Sequence, residues 1–218
     1  MMTRKVRRSV LAGLLGSLLL SGPALAHPHV WITATSEIVF APDGSITGVR
    51  HAWTFDDMFS AFATMGIEAK TKGTFTRKEL APLAQVNVDS LKEYDYFTFP
   101  LVNGAKYKMG MFNEPIDYWL DYEPKAGVLT LHFTLPFKAP VRAKSMDVEV
   151  YDPLLFIYFE FAEKNPVRLA GAPPQCKAAI AGAQQGKFPA SLRDTFTASE
   201  QNSGMGAQFA QKVTMKCP

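Results

Sequence analysis

The sequence predicts an α+β fold, in which a mainly antiparallel, β-sandwich-like body carries a short two-helix insertion. Most of the chain consists of short strand patterns bounded by Pro, Gly, Asn or Asp, and helical spacing is confined to about residues 57–94. Strands and helices do not alternate, which argues against a doubly wound sheet and against a two-lobed solute receptor. With 47% hydrophobic and 20% charged residues, the 218-residue chain has the composition of a folded protein.

Residues 1–26 have the pattern of a cleaved signal peptide. Basic Arg4–Arg8 precedes the apolar run Val10–Leu20, and Ala24–Ala26 places small residues where signal peptidase requires them. The apolar run is shorter than a membrane-spanning helix, although a retained anchor is the alternative. Arg7 and Arg8 match twin-arginine export only in part, so the general secretory route is favoured. We therefore expect one periplasmic domain, residues 27–218, without a transmembrane segment.

The charge balance gives no support for a nucleic-acid partner. Four basic residues lie in the signal segment, and their removal leaves 19 basic against 20 acidic residues. A nucleic-acid-binding domain needs a surplus of basic residues to meet the phosphate backbone. The mature chain has no such surplus of basic residues.

The first two strands, Val30–Phe40 and Ile46–Phe55, are expected to form a hairpin around the turn at residues 42–44. Pairing centred on this turn places residue 51 opposite about residue 36. Asp56 or Asp57 can cap the short helix that follows. A second helix is expected from about Thr76 to Tyr94, with apolar residues on one face.

The second half of the chain is expected to be strands followed by an irregular tail, about residues 166–218, with a short helix near Ser191–Ser199. An exported protein with two cysteines usually pairs them, so we predict a Cys176–Cys217 disulfide that ties this tail to the body. The expected strands are Phe97–Leu101, Ala105–Phe112, Ile116–Tyr122, Val128–Leu135, Met146–Tyr151 and Leu155–Phe161.

Cleavage after Ala26 would start the mature chain with His27-Pro28-His29, a pattern that favours a divalent transition metal. The α-amine and ring of His27 and the ring of His29 are nitrogen donors, which suit Zn, Ni, Co and Cu without distinguishing among them. Pro28 excludes a site that uses two deprotonated backbone amides, because proline has no N–H. The alternative is that both histidines are ordinary polar residues at a frayed terminus.

Two further histidines are candidates to complete such a site. His51 shares a strand face with Val49 and Trp53, and a histidine on such a face is more often a buried core residue. In the expected hairpin register, His51 lies too far along the sheet for direct contact with His29. His132 lies on the polar face of its strand and is the third candidate.

Residues Glu68–Glu79 have the length of an EF-hand calcium loop, with Gly73 at position 6 and Glu79 at position 12. Lys70 and Lys72, however, stand at positions 3 and 5, where carboxylate or amide oxygens are required. The ammonium groups would repel Ca²⁺. We expect no calcium here, and a polar loop between two helices is the alternative.

Four motifs stand in order along the mature chain. They are H-P-H-V-W-I at 27–32, W-T-F-D-D-M-F at Trp53–Phe59, the run from K-E-L to Y-D-Y-F at Lys78–Phe97, and V-Y-D-P at Val150–Pro153. Together they resemble the "domain of unknown function 1007" family over nearly the whole mature chain. The resemblance implies an exported bacterial protein, labelled as the periplasmic component of an ABC-type transport system and often encoded near nickel/cobalt permeases. It also implies an acidic, Gly-containing loop where this chain has Lys70 and Lys72.

These observations predict a periplasmic metal-binding accessory of a permease or transport system in the inner membrane, without enzymatic activity. One alternative is the binding component for a small organic solute, which predicts a deep aromatic-lined pocket. Another is a copper oxidoreductase in which the amine and ring of His27 brace the metal. A fourth is a structural sandwich that contacts a membrane partner. Paired acids such as Asp56 and Asp57 are better explained as surface charge than as hydrolytic residues.

Overall fold

The computed structural model describes residues 29–105, 108–182 and 205–218. The α+β prediction is confirmed, because two largely antiparallel sheets share one core with two principal helices. The predicted signal peptide, His27 and the predicted helix at Ser191–Ser199 lie outside the described residues. None of the helices in the described ranges is long and apolar enough to cross a membrane.

The larger sheet has six strands, and its central strand β1 is paired along both edges. β1 pairs antiparallel with β2 along one edge, and along its other edge it pairs in parallel with both β7 and β8. The strand order is therefore β4-β5-β2-β1-β7, and β8 occupies the same position in the order as β7. The strands are β1 (Val30–Phe40), β2 (Ile46–Phe55), β4 (Ile116–Glu123), β5 (Val128–Val141), β7 (Ile157–Phe161) and β8 (Val167–Ala170).

The second sheet has the order β3-β6-β10-β9 and corrects the expectation of an irregular tail. Two of its four strands, and β8 of the larger sheet, come from residues 166–218, where only an irregular segment was expected. The strands of this sheet are β3 (Thr98–Val102), β6 (Ser145–Val150), β9 (Lys177–Gly182) and β10 (Gln211–Lys216).

The predicted hairpin register is confirmed, since Ser36 lies opposite His51 in the β1–β2 pair. Alternate residues of both strands are buried, so that β2 directs Val49, His51 and Trp53 into the space between the sheets. Strand β5 continues the same inner face with Leu131, Phe133 and Leu135, as its alternating sequence predicted. Valine and methionine side chains of β6 and β10 close the core from the second sheet.

Two helices follow the hairpin, and side chains cap both of them. In α1 (Asp57–Ala63), the carboxylate of Asp56 accepts the N–H of Phe59 at 2.7 Å, which confirms the predicted cap. In α2 (Arg77–Leu91), Thr76 and Glu79 form a reciprocal capping box. The inner face of α2 buries Leu80, Ala84 and Val88 against the core. A 3₁₀ turn, Lys92–Phe97, and a short helix, α3 (Met205–Phe209), complete the elements.

The strand predicted at Ala105–Phe112 is not formed in its described part. Gly104 and Gly110 adopt φ angles of +74° and +72°, which belong to turns rather than strands. Phe112 alone makes an isolated bridge, to Phe137. The glycine turns before and within this segment therefore replace the strand that its bounding Gly104 and Asn113 predicted.

The predicted disulfide is confirmed, with Cys176 and Cys217 joined across a sequence separation of 41 and their Cα atoms 4.2 Å apart. It immediately adjoins the Lys177–Lys216 pair at the end of the β9–β10 ladder. The amide of Cys217 also donates to the carbonyl of Lys144, which precedes β6. The disulfide therefore joins neighbouring strands of the second sheet. A disulfide of this kind is consistent with an extracytoplasmic location.

Replacing both cysteines with serine should lower the free energy of unfolding by about 4 kcal/mol, because the closed loop no longer restricts the unfolded chain. Denaturant unfolding of the parent and of the double variant checks this value. Metal affinity should stay within a few-fold of that of the parent. Peptide mapping of exported protein without reductant would contradict the disulfide if it found both thiols free.

Candidate functional site

The described chain begins beside the loop that precedes β7. The backbone N–H of His29 donates to the carbonyl of Phe156 at 2.8 Å, and the two rings stack with an interplanar angle of 13° and centroids 6.1 Å apart. His29 is exposed. Strand β1 follows immediately, with Val30 paired to Ile157. The position of His29 therefore follows from the sheet register and from Phe156.

The Val150–Pro153 motif supplies the carboxylate that holds Phe156 in place. Asp152 is buried, and its oxygens accept the N–H groups of Leu154, Phe156 and Ile157 at 2.9, 2.9 and 3.1 Å. One side chain thus satisfies three amides of a tight turn that would otherwise be left without acceptors. The carboxylate organises the backbone against which His29 lies.

The second motif acid, Asp56, has a similar role on the other side of β1. Its Oδ2 accepts the N–H of Trp31 at 2.8 Å, while its own N–H donates to the carbonyl of Trp31 at 2.9 Å. Its Oδ1 caps α1. Asp56 and Asp152 therefore both hold the backbone near the start of β1, and their carboxylate oxygens are already engaged there.

A cavity of about 370 Å³ opens beside this region, between the inner face of the larger sheet, α2 and the loop after β6. Tyr94, Leu154 and Phe156 are partly exposed and form its mouth, so His29 stacks on a residue of the rim. Asn87, Ser90 and Asp152 are the polar residues of the lining. We name it the aromatic cavity after the aromatic side chains in its wall, Trp53, Phe55, Phe59, Tyr94, Phe97 and Phe156.

Two features of the wall carry an energetic cost. Trp53 is buried and packs edge-on against Phe133 and Phe159, and its indole Nε1 finds no acceptor among the described residues. Phe97 ends a run of three residues, 95–97, with φ between 48° and 56°, which is unfavourable for side chains larger than glycine. Unsatisfied donors and left-handed backbone concentrate at functional sites.

His51 occupies the core, away from the chain terminus. Its Nδ1 lies 2.8 Å from the hydroxyl of Ser36, and its Nε2 lies 3.2 Å from the hydroxyl of Thr98 on the second sheet. Burial lowers the pKa of the imidazole to about 3. His51 is thus a neutral, hydrogen-bonded link between the two sheets. This agrees with the interpretation of His51 as a buried core histidine rather than a metal ligand.

His132 lies on the opposite face of β5 from Leu131, which lines the cavity. Its ring stacks on Trp119 with centroids 4.6 Å apart, and its Nε2 is 3.3 Å from a carboxylate oxygen of Asp121. Arg77 covers the same indole and forms a two-point contact with Asp121. Partial burial lowers the pKa of His132, with Asp121 opposing that shift and Arg77 adding to it.

The structure separates the three described histidines: His29 lies at a cavity rim, His51 lies in the core, and His132 lies on an outer face of the larger sheet. Within residues 29–105, 108–182 and 205–218, no group of three His, Cys, Asp or Glu side chains is arranged to hold a metal ion. His27 lies outside those residues. A metal site at His27 and His29 therefore stays a prediction.

The loop Glu68–Glu79 is organised by Glu79. Its carboxylate accepts the N–H of Lys70 at 2.8 Å and the N–H of Thr76 at 2.7 Å. The hydrogen bonds from Thr76 and Lys70 lower the pKa of Glu79 to about 2. The side chain that would be the bidentate calcium ligand thus binds the loop's own amides, in keeping with a loop between two helices.

The solute-binding alternative predicted an aromatic-lined pocket, but the residues of this cavity were not predicted from the sequence, because its wall joins β2, α1, α2 and the loop after β6. The available signal was the set of motifs that carried the family resemblance. Val30 and Ile32 belong to the first motif, Trp53, Phe55 and Phe59 to the second, Tyr94 and Phe97 to the third, and Asp152 to the fourth. All four motifs thus converge on one cavity.

Asp152→Asn should lower the free energy of unfolding by about 2–3 kcal/mol, because an amide offers one acceptor oxygen where the carboxylate uses two. Urea unfolding measures the loss. The exposed Asp117 provides the matched control, and Asp117→Asn should change stability by less than about 0.5 kcal/mol. Equal stability of the two variants would contradict the role given to Asp152.

His51 should make the protein less stable as the pH falls. The folded state holds the imidazole neutral down to a pKa of about 3, whereas the unfolded chain takes up the proton near pH 6.5. The contribution of His51 to the free energy of unfolding is at its maximum above about pH 6.5. It falls by up to about 1.4 kcal/mol per pH unit as the pH is lowered from the unfolded-state pKa to the folded-state pKa. Denaturant unfolding at pH 7, 5.5 and 4.5 measures the slope.

His51→Gln should remove this part of the slope, since glutamine does not titrate and retains a donor and an acceptor. His132→Gln is the control and should keep most of the slope. A parent-like slope in His51→Gln would contradict the assignment.

Comparison with known proteins identifies one family. No curated protein matches the chain. The model of the family described as "Protein of unknown function (DUF1007)" matches residues 12–217. Because this match extends from the predicted signal peptide to Cys217, the protein belongs to the DUF1007 family.

Proposed function

We propose that the protein is a periplasmic accessory of an inner-membrane permease or transport system, and that it binds a divalent transition metal through His27 and His29. The observation that carries the proposal is the place of His29, exposed at the first residue before β1 and held there by the Phe156 carbonyl. Residue 27 stands only two positions earlier in the chain. A metal bound by His29 together with a residue two positions earlier would therefore lie near the amino-terminal end of β1.

The donor chemistry supports the amino-terminal pair over the other histidines. Both ring nitrogens of His51 face hydroxyl groups in the core, and His132 is stacked on Trp119 beside Asp121. His27 would supply an imidazole and, after cleavage at Ala26, an α-amine. Such nitrogen donors bind Zn, Ni, Co and Cu.

A surface for a partner supports the accessory role. Met58 and Phe62 of α1 and the adjacent Met65 are each more than 70% exposed, although all three are large apolar side chains. Exposed apolar clusters of this kind are common where proteins meet partners. The family resemblance points to a permease as that partner.

Three amino-terminal variants test the metal site by calorimetry with Zn²⁺, Ni²⁺ and Cu²⁺: His27→Ala, His29→Ala, and one residue added before His27. We expect both substitutions to weaken binding at least tenfold, and His132→Gln, the matched histidine control, to bind as the parent does. If the amine is a ligand, the extension should weaken binding as much as His27→Ala does. A silent extension would assign binding to the rings alone and exclude the copper brace.

Affinity should fall from pH 7.5 to pH 5.5, because free imidazoles and α-amines take up protons in or near this range and the ligating forms are unprotonated. Mass spectrometry of the exported protein should find His27 as the first residue. Parent-like metal binding by all three amino-terminal variants would overturn the proposal, and a mature chain beginning at Val30 would also overturn it.

A further inference from the structure

The aromatic cavity is a second candidate site, and the metal proposal does not use it. Its volume of about 370 Å³ falls within the range of small-molecule sites in proteins. Its wall is made mainly of aromatic and aliphatic side chains, with Asn87, Ser90 and Asp152 as the polar members. Its mouth, at Tyr94, Leu154 and Phe156, is open to solvent.

The polar groups of the wall disfavour a charged ligand. Both oxygens of Asp152 accept backbone amides, the Asn87 amide nitrogen donates to the carbonyl of Leu83, and the Ser90 hydroxyl donates to the carbonyl of Asn87. No Lys, Arg or His is among the described residues that line the cavity, so a buried anion would lack a partner, at a large cost in free energy. A cation would have to compete with three backbone amides for the carboxylate of Asp152.

Besides the hydroxyl of Tyr94, a partly exposed residue, the polar group that remains in the wall is the indole N–H of Trp53. It is buried, and it has no acceptor among the residues that the structure describes. A buried donor without an acceptor bears an unrecovered desolvation cost. An acceptor brought by a ligand that reaches Nε1 would recover part of that cost.

We propose that the aromatic cavity binds a small, uncharged, largely apolar organic molecule with one hydrogen-bond acceptor, which accepts from Nε1 of Trp53. The apolar wall supplies most of the affinity by removing ligand surface from water. The indole N–H supplies the selectivity, because an isostere without an acceptor leaves the donor unsatisfied. This site is independent of the amino-terminal metal site.

Acetophenone and α-methylstyrene are suitable probes, because they have nearly the same shape and only acetophenone carries an acceptor. Both should bind the parent protein in calorimetry, with acetophenone roughly three- to tenfold tighter. Ser90→Phe should abolish binding of both probes by filling the cavity. Val86→Phe, one turn earlier in the same helix at an exposed position that does not line the cavity, should leave both affinities unchanged. Neither substitution should alter metal binding.

The role of Trp53 is tested in two ways. Trp53→Phe should bring the affinity for acetophenone down to that for α-methylstyrene. In the unsubstituted protein, acetophenone but not α-methylstyrene should shift the Trp53 indole N–H resonance downfield by NMR. The indole resonances of Trp31 and Trp119 are assigned by their loss in Trp31→Phe and Trp119→Phe, and the third indole resonance belongs to Trp53. This measurement therefore does not require Trp53→Phe to fold.

Failure of both probes to bind the parent, or parent-like binding by Ser90→Phe, would overturn the cavity as a ligand site. Binding without selectivity for acetophenone, or with an unchanged Trp53 resonance, would overturn the role of the indole N–H. Metal titration of the same samples separates these outcomes from failure of the metal proposal.

Discussion

The structure depends on the pairing of β1 along both of its edges. One neighbour, β2, follows it directly in the chain, whereas β7 and β8 come from more than 100 residues later. This arrangement gives the backbone amides and carbonyls of β1 partners on both sides, as a central strand requires. It also brings the amino-terminal end of β1 to the loop before β7, where His29 meets Phe156.

Two carboxylates make this junction rigid. Asp56 joins the start of α1 to Trp31, and Asp152 gathers three amides of the turn that leads into β7. Both acids belong to motifs that could suggest acid–base chemistry. Their contacts show a different use, since each carboxylate replaces hydrogen bonds that the backbone cannot make in regular structure. Two residues of the cavity mouth, Leu154 and Phe156, donate their backbone amides to Asp152.

The three described histidines illustrate how the environment decides what an imidazole can do. His51 is held neutral by burial between two hydroxyls, His132 is stacked against an indole beside a carboxylate, and His29 is exposed at a strand end. A buried imidazole is the least accessible of the three to a metal ion from solvent. Exposure therefore favours the amino-terminal end of β1 over the core as the place of the proposed metal site.

Interactions between residues close in the chain were predictable from the sequence by itself. The turn at residues 42–44 determined the hairpin register, the Thr76–Glu79 spacing produced a capped helix, and alternation placed Leu131 and His132 on opposite faces of β5. The strand expected at Ala105–Phe112 failed because Gly104 before it and Gly110 within it turn the backbone. Tertiary structure alone decided the order of the strands, the strands within residues 166–218, the amides bound by Asp152 and the aromatic cavity. These features arise from hydrogen bonding and burial between distant segments, and such contacts leave no periodic pattern within any one segment.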